Sequence, residues 1–95
     1  MRIDKIKRIV NEINLHYGAD LAFERDGFVN VHGESTYKTS EIIDGEKMDF
    51  DNFAIDYYGE FRGGYPYIDK WLEKLAKKNG GYWEWQNPAV IILAE

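Results

Sequence analysis

Residues 82–94 read YWEWQNPAVIILA. Two unlike segments flank a break at Asn87-Pro88. In the first, Trp83 and Trp85 share a face by alternation. The second, AVIILA at 89–94, is apolar on both faces, as a strand is when it lies in the interior of a sheet. The end of the chain therefore predicts a sheet built around residues 89–94, and the other segments must supply its neighbours and its cover.

Cover comes from two amphipathic stretches. Ile3, Ile6, Ile9, Val10, Ile13 and Tyr17 recur at helical spacing, with Lys5, Arg8 and Glu12 outside the stripe and Gly18 placed as a C-cap glycine. This spacing predicts a helix over residues 3–17. Ile68, Trp71, Leu72, Leu75 and Ala76 form a second stripe. Pro66 suits the first helical position, and Asp69 and Lys77-Lys78 suit the two ends of the macrodipole. With Asn79-Gly80-Gly81 as the stop, these predict a helix over 66–79.

The neighbours come from the middle of the chain. DLAFERDGFVNVHG at 20–33 is a hairpin. A three-residue loop, Arg25-Asp26-Gly27, sets Phe23 opposite Val29 and Leu21 opposite Val31. A two-residue Asp26-Gly27 turn would mix polar and apolar side chains on one face, so the hydrophobic pattern favours the longer loop. STYKTSEII at 35–43 reads as a strand, DGEKMDFDN at 44–52 as an acidic connector, and FAIDYY at 53–58 as a strand with Phe53, Ile55 and Tyr57 on one face. Strands outnumber helices, and hairpin turns join them. The expectation is a single α+β domain over residues 1–95, an antiparallel sheet of about 4–6 strands with two helices packed on one face.

Composition narrows the chemistry. With 44% hydrophobic and 31% charged residues, the chain has the balance of a globular domain. It has no cysteine, which excludes disulfides, thiolate zinc sites and a cysteine nucleophile. Ser35 and Ser40 sit in no nucleophile elbow, and no spacing ties His16 or His32 to a serine and an acid. No phosphate-loop or dinucleotide fingerprint occurs. The acids of 44–52 are hard oxygen donors but lack the arrangement of a calcium loop. No catalytic residue, metal or cofactor is expected, and the chain reads as non-enzymatic. Residues 1–13 lack the apolar core of a secretory signal, and AVIILA is too short to span a bilayer, so a cytoplasmic, membrane-free location is expected.

Charge and aromatic content point to binding instead. Between Asp20 and Glu60 there are eleven acids and three bases, whereas residues 1–10 carry four bases against one acid. The overall charge of −5 argues against direct nucleic-acid binding. Eleven of the fifteen aromatics lie between Phe50 and Trp85, several in YYGEFRGGYPYID at 57–69. Aromatics beside an arginine are the residue types of interface hot spots. The expected partner-binding residues are the acids Asp44, Glu46, Asp49, Asp51, Asp56 and Glu60, with Phe61, Arg62, Tyr65 and Tyr67 from the aromatic loop. A basic protein is the expected partner, and a homodimer is compatible with the sequence.

In size and charge alone, the chain resembles phage and mobile-element inhibitors, some anti-CRISPR proteins among them. That resemblance implies carboxylates occupying the nucleic-acid-binding cleft of a host factor. Two alternatives stand beside it. One is a small-molecule or anion site in which Arg62 and the Gly63-Gly64 amides face the ligand ahead of a helix. The other is a small uncharacterised enzyme.

Overall fold

The computed structural model describes residues 1–58 and 66–95. Its centre is an antiparallel sheet of four strands, β1 (Ala22–Arg25), β2 (Phe28–His32), β7 (Tyr82–Asn87) and β8 (Val90–Ala94), in the order β1-β2-β8-β7. Two helices, α1 (Ile3–Tyr17) and α2 (Lys70–Lys78), lie against one face of it. The fold is α+β. β8 is an interior strand, paired with β2 on one side and β7 on the other, and the helices cover the face that carries Ile91 and Leu93.

Local chemistry accounts for the packing. Ile6, Ile9, Ile13 and Tyr17 of α1 are buried, and Gly18 closes the helix at φ 64°, its N–H donating to the Asn14 carbonyl. Asn14 also ties α1 to the first strand. Its side-chain oxygen accepts from the N–H groups of Leu21 and Ala22, and its amide donates to the Ala22 carbonyl. From the sheet, Val29, Val31, Ile91, Leu93 and Trp83 meet the helices, and the Trp83 indole N–H donates to the Leu72 carbonyl at 2.7 Å. Gly81 is forced by proximity: a Cβ there would run into the carbonyl oxygen of Ala94.

Three local expectations are corrected. The first hairpin turns on two residues, not three. Asp26 and Gly27 both have positive φ, 55° and 79°, and Phe23 stands opposite Asn30 with Ala22 opposite Val31. Such a turn matches the right-handed twist of the flanking strands. The Gly27 N–H adds a bond to the Glu24 carboxylate. Phe23 therefore belongs to the sheet face away from the helices, where the hydrophobic pattern had no place for it.

Next, α2 begins at Lys70 rather than near Pro66. Tyr67 and Ile68 form a short strand, β6 (Tyr67–Ile68), paired with β5 (Ile55–Asp56), and the Asp69 N–H donates to the Ala54 carbonyl. Those backbone groups are engaged before the helix can start. Only Ile55 and Asp56 of the segment 53–58 are strand, and the buried pair is Ala54 and Ile55 in succession, not an alternating set.

The third correction bears on function. Residues 44–52 are not a connector. Asp44-Gly45 is a second two-residue turn, with φ 52° and 81°, between strands β3 (Tyr37–Ile43) and β4 (Glu46–Asn52). These strands pair only with each other among the described residues.

Candidate functional site

Every residue from Ser40 to Asp51 is exposed. Seven residues at about 3.4 Å each make each strand about 24 Å long, and the molecule measures 47 × 25 × 21 Å. The β3–β4 hairpin is thus an arm whose outer part is wet on both faces. An isolated two-stranded hairpin is marginal in water, so the arm depends on its turn, its cross-strand pairs and its root.

The root is an aromatic cluster. Tyr37 meets the ring of Tyr17 at a centroid distance of 4.6 Å. Tyr17 in turn packs edge-on to Trp71, and Trp71 stacks on His16 with centroids 3.8 Å apart and planes within 3°. The Tyr17 hydroxyl donates to Asp69 at 2.5 Å, and the Tyr67 hydroxyl reaches the other oxygen of the same carboxylate. Burial, and then the bond to the Asp69 carboxylate, push the Tyr17 hydroxyl well above the ordinary tyrosine range. Asp69 sits at the N-cap of α2 but makes no capping bond with its side chain. Its carboxylate serves the tyrosines instead.

Register divides the arm into two unlike faces. On one face stand Tyr37, Thr39, Glu41 and Ile43 with their partners Asn52, Phe50, Met48 and Glu46. On the other stand Lys38, Ser40 and Ile42 with Asp51, Asp49 and Lys47. The first face carries Phe50, Met48 and Ile43, which are 37%, 43% and 42% exposed. The second is polar apart from Ile42, and two of its three cross-strand pairs are bonded. Lys38 forms an ion pair with Asp51, and the Ser40 hydroxyl donates to Asp49 at 2.6 Å. Five acids against two lysines leave the arm negative as a whole.

The expected site residues are only partly gathered. Asp44, Glu46, Asp49 and Asp51 share the arm, with Asp44 at the tip, Glu46 on the apolar face, and Asp49 and Asp51 on the polar one. Asp56 and Tyr67 lie off the arm, opposite each other on the β5–β6 ribbon, both half-buried. Glu60, Phe61, Arg62 and Tyr65 lie outside the described residues, as do Gly63 and Gly64. Phe50, Met48, Ile43 and Ile42 lie outside the expected site residues. The signal for them in the sequence is the Asp44-Gly45 pair, with Ile42-Ile43 just before it and Met48 and Phe50 at alternate positions after it.

Among the described residues, no three metal-binding side chains gather in one place. No helix of the described residues is long and apolar enough to cross a membrane. Compared with protein-family models, curated proteins and solved structures, the chain matches none.

Proposed function

We propose that the chain is a non-enzymatic protein-binding domain and that the β3–β4 arm is its contact element. One observation carries this reading: twelve consecutive residues, Ser40 to Asp51, are exposed and include four large apolar side chains that no part of the core requires. Large apolar groups clustered in water, within a rim of carboxylates, are the composition of a surface that meets another protein. The net negative charge of the arm favours a basic partner, and its slender form suits insertion into a cleft, where both faces would be covered. The inhibitor reading is the concrete version: the arm lies in the nucleic-acid-binding cleft of a host factor, and Glu41, Asp44, Glu46, Asp49 and Asp51 face the cations that otherwise hold phosphates.

Affinity capture from the native host, followed by mass spectrometry, tests the proposal with three baits: the unaltered chain, Met48→Ser/Phe50→Ser, and Asp49→Asn/Asp51→Asn. A basic protein held by the first bait should be lost from the second and weakened on the third. Its retention should also fall as salt rises, since exposed charges are screened over about 10 Å at 0.1 M. A partner held equally by all three baits would show that the arm is not the contact.

A further inference from the structure

The four-stranded sheet has one face under the helices and one that neither helix covers. Pairing across the uncovered face sets out its rows. One row runs Arg25, Phe28, Ala94, Tyr82. The next runs Phe23, Asn30, Ile92, Glu84, and a third holds His32 and Val90. Phe28 is 44% exposed and Tyr82 53%. Asn30 is 2% exposed, and its amide N–H groups donate to the carbonyls of Arg25 and Phe28. The middle of this face is therefore apolar. Its two charges stand at opposite edges, a cation on β1 and an anion on β7.

We propose that this face joins two copies of the chain in a face-to-face homodimer with its two-fold axis parallel to the strands. The pattern is self-complementary under that operation and not under the alternative. A two-fold axis parallel to the strands lays β1 over β7 of the second copy and β2 over β8. Arg25 then covers the Tyr82 ring and stands one row from Glu84, an arrangement that favours both a cation–π contact and an ion pair. Phe28 falls over Ala94, large against small, and Phe23 over the stem of Glu84 beside Ile92. Because the operation is symmetric, each contact occurs twice. A two-fold axis perpendicular to the strands would instead lay β1 over β1 and β7 over β7, which gathers the Arg25 edges together and the Glu84 edges together and brings no cation to an anion. Aligned stacking at about −30° is also the common geometry for two twisted sheets.

The footprint sets the strength. Four strands about 4.8 Å apart and about 17 Å long give about 330 Å² per copy. The two copies together bury about 660 Å², well short of the standard interface size, so the association is weak and transient. None of these residues belongs to the arm, so the dimer and the arm reading fail separately.

Sedimentation velocity on the full chain, from about 10 μM to about 1 mM, spans the dissociation range expected for so small an interface. The unaltered chain should pass from monomer to dimer within it, and Phe28→Lys should stay monomeric. Arg25→Glu should weaken the dimer about tenfold, and Arg25→Glu/Glu84→Arg should return it to within about threefold of the original. Arg25 and Glu84 are both exposed, so these exchanges leave the core intact and decide the matter even if Phe28→Lys unfolds. A monomer across the whole range overturns the proposal. So does a dimer that Phe28→Lys, shown folded by circular dichroism, leaves untouched, and so does a loss in Arg25→Glu that the double exchange fails to restore. The arm variant Met48→Ser/Phe50→Ser should dimerise as the unaltered chain does, and a loss of dimer there would equally overturn this assignment.

Discussion

The body and the arm of this protein are made by the same local device. Each contains a hairpin that turns on Asp-Gly, with both residues at positive φ, Asp26-Gly27 in one and Asp44-Gly45 in the other. The two hairpins part company in what covers them. The β1–β2 hairpin gives Ala22, Val29 and Val31 to a core closed by α1, α2 and β8. The β3–β4 hairpin gives Phe50, Met48 and Ile43 to water. Turn chemistry makes a hairpin; it does not decide whether the hairpin is covered. In the body, apolar side chains stabilise the fold by burial, about 25 cal/mol for each Å² removed from water. In the arm Phe50, Met48 and Ile43 stay 37–43% exposed and Ile42 73%, so they gain less from folding than the buried side chains of the body. The rest of the gain comes only when something covers them.

Substitutions can break that comparison or sharpen it. The largest effect belongs to the body. Ile91→Ala, at a fully buried position of the central strand, should cost about 2–5 kcal/mol in chemical denaturation. Tyr17→Phe, at the joint between the two regions, should cost about 1.5–3 kcal/mol, the range for a hydrogen bond to a charged group.

That joint also has a pH signature. The hydroxyl of Tyr17 ionises at a higher pH in the folded protein than in the unfolded chain. The resulting stability is fully present below the ordinary tyrosine value, about 10, and is lost as pH rises beyond it. Denaturation midpoints measured across that range should fall for the parent chain and fall less for Tyr17→Phe. Equal slopes would mean that the hydroxyl is neither buried nor bonded to Asp69 in the folded protein.

Smaller effects probe the arm. Backbone amides of β3 and β4 should exchange with solvent far faster than those at the β2–β8 pairing, because the arm can open without disturbing the core. Protection as high as the sheet centre would show that the arm is covered in solution. Met48→Ser and Phe50→Ser should each change stability by no more than about 0.5 kcal/mol. A loss of several times that would place them in a hydrophobic cluster and remove the ground for assigning them to a partner.

Parts of this structure could be read directly from residues. The α1 stripe and its glycine stop carry a strong local signal, and so does a strand with no polar face at 89–94. Other parts depend on competition between local signals. The hydrophobic pattern and the Asp-Gly turn of the first hairpin asked for different registers, and the turn won by leaving Phe23 on the uncovered face. β4 was hidden because acids fall at both odd and even positions from Glu46 to Asp51, which blurs the alternation of Met48 and Phe50. The start of α2 is not legible locally, because Tyr67 and Ile68 bond to a strand remote in sequence. The acids of 44–51 were recognisable as exposed charge. Their division between an apolar face and a paired polar one needed the register, which no composition reveals.

The contact of Tyr37 with Tyr17 has a mechanical side. A ribbon about 24 Å long and fastened at one end is a lever. Tilting it by about 10° at the root carries the Asp44-Gly45 tip through about 4 Å, roughly one strand spacing. The Tyr37–Tyr17 contact is thus one of those that set where the tip points, and a load applied at the tip is transmitted through it to the ring of Tyr17.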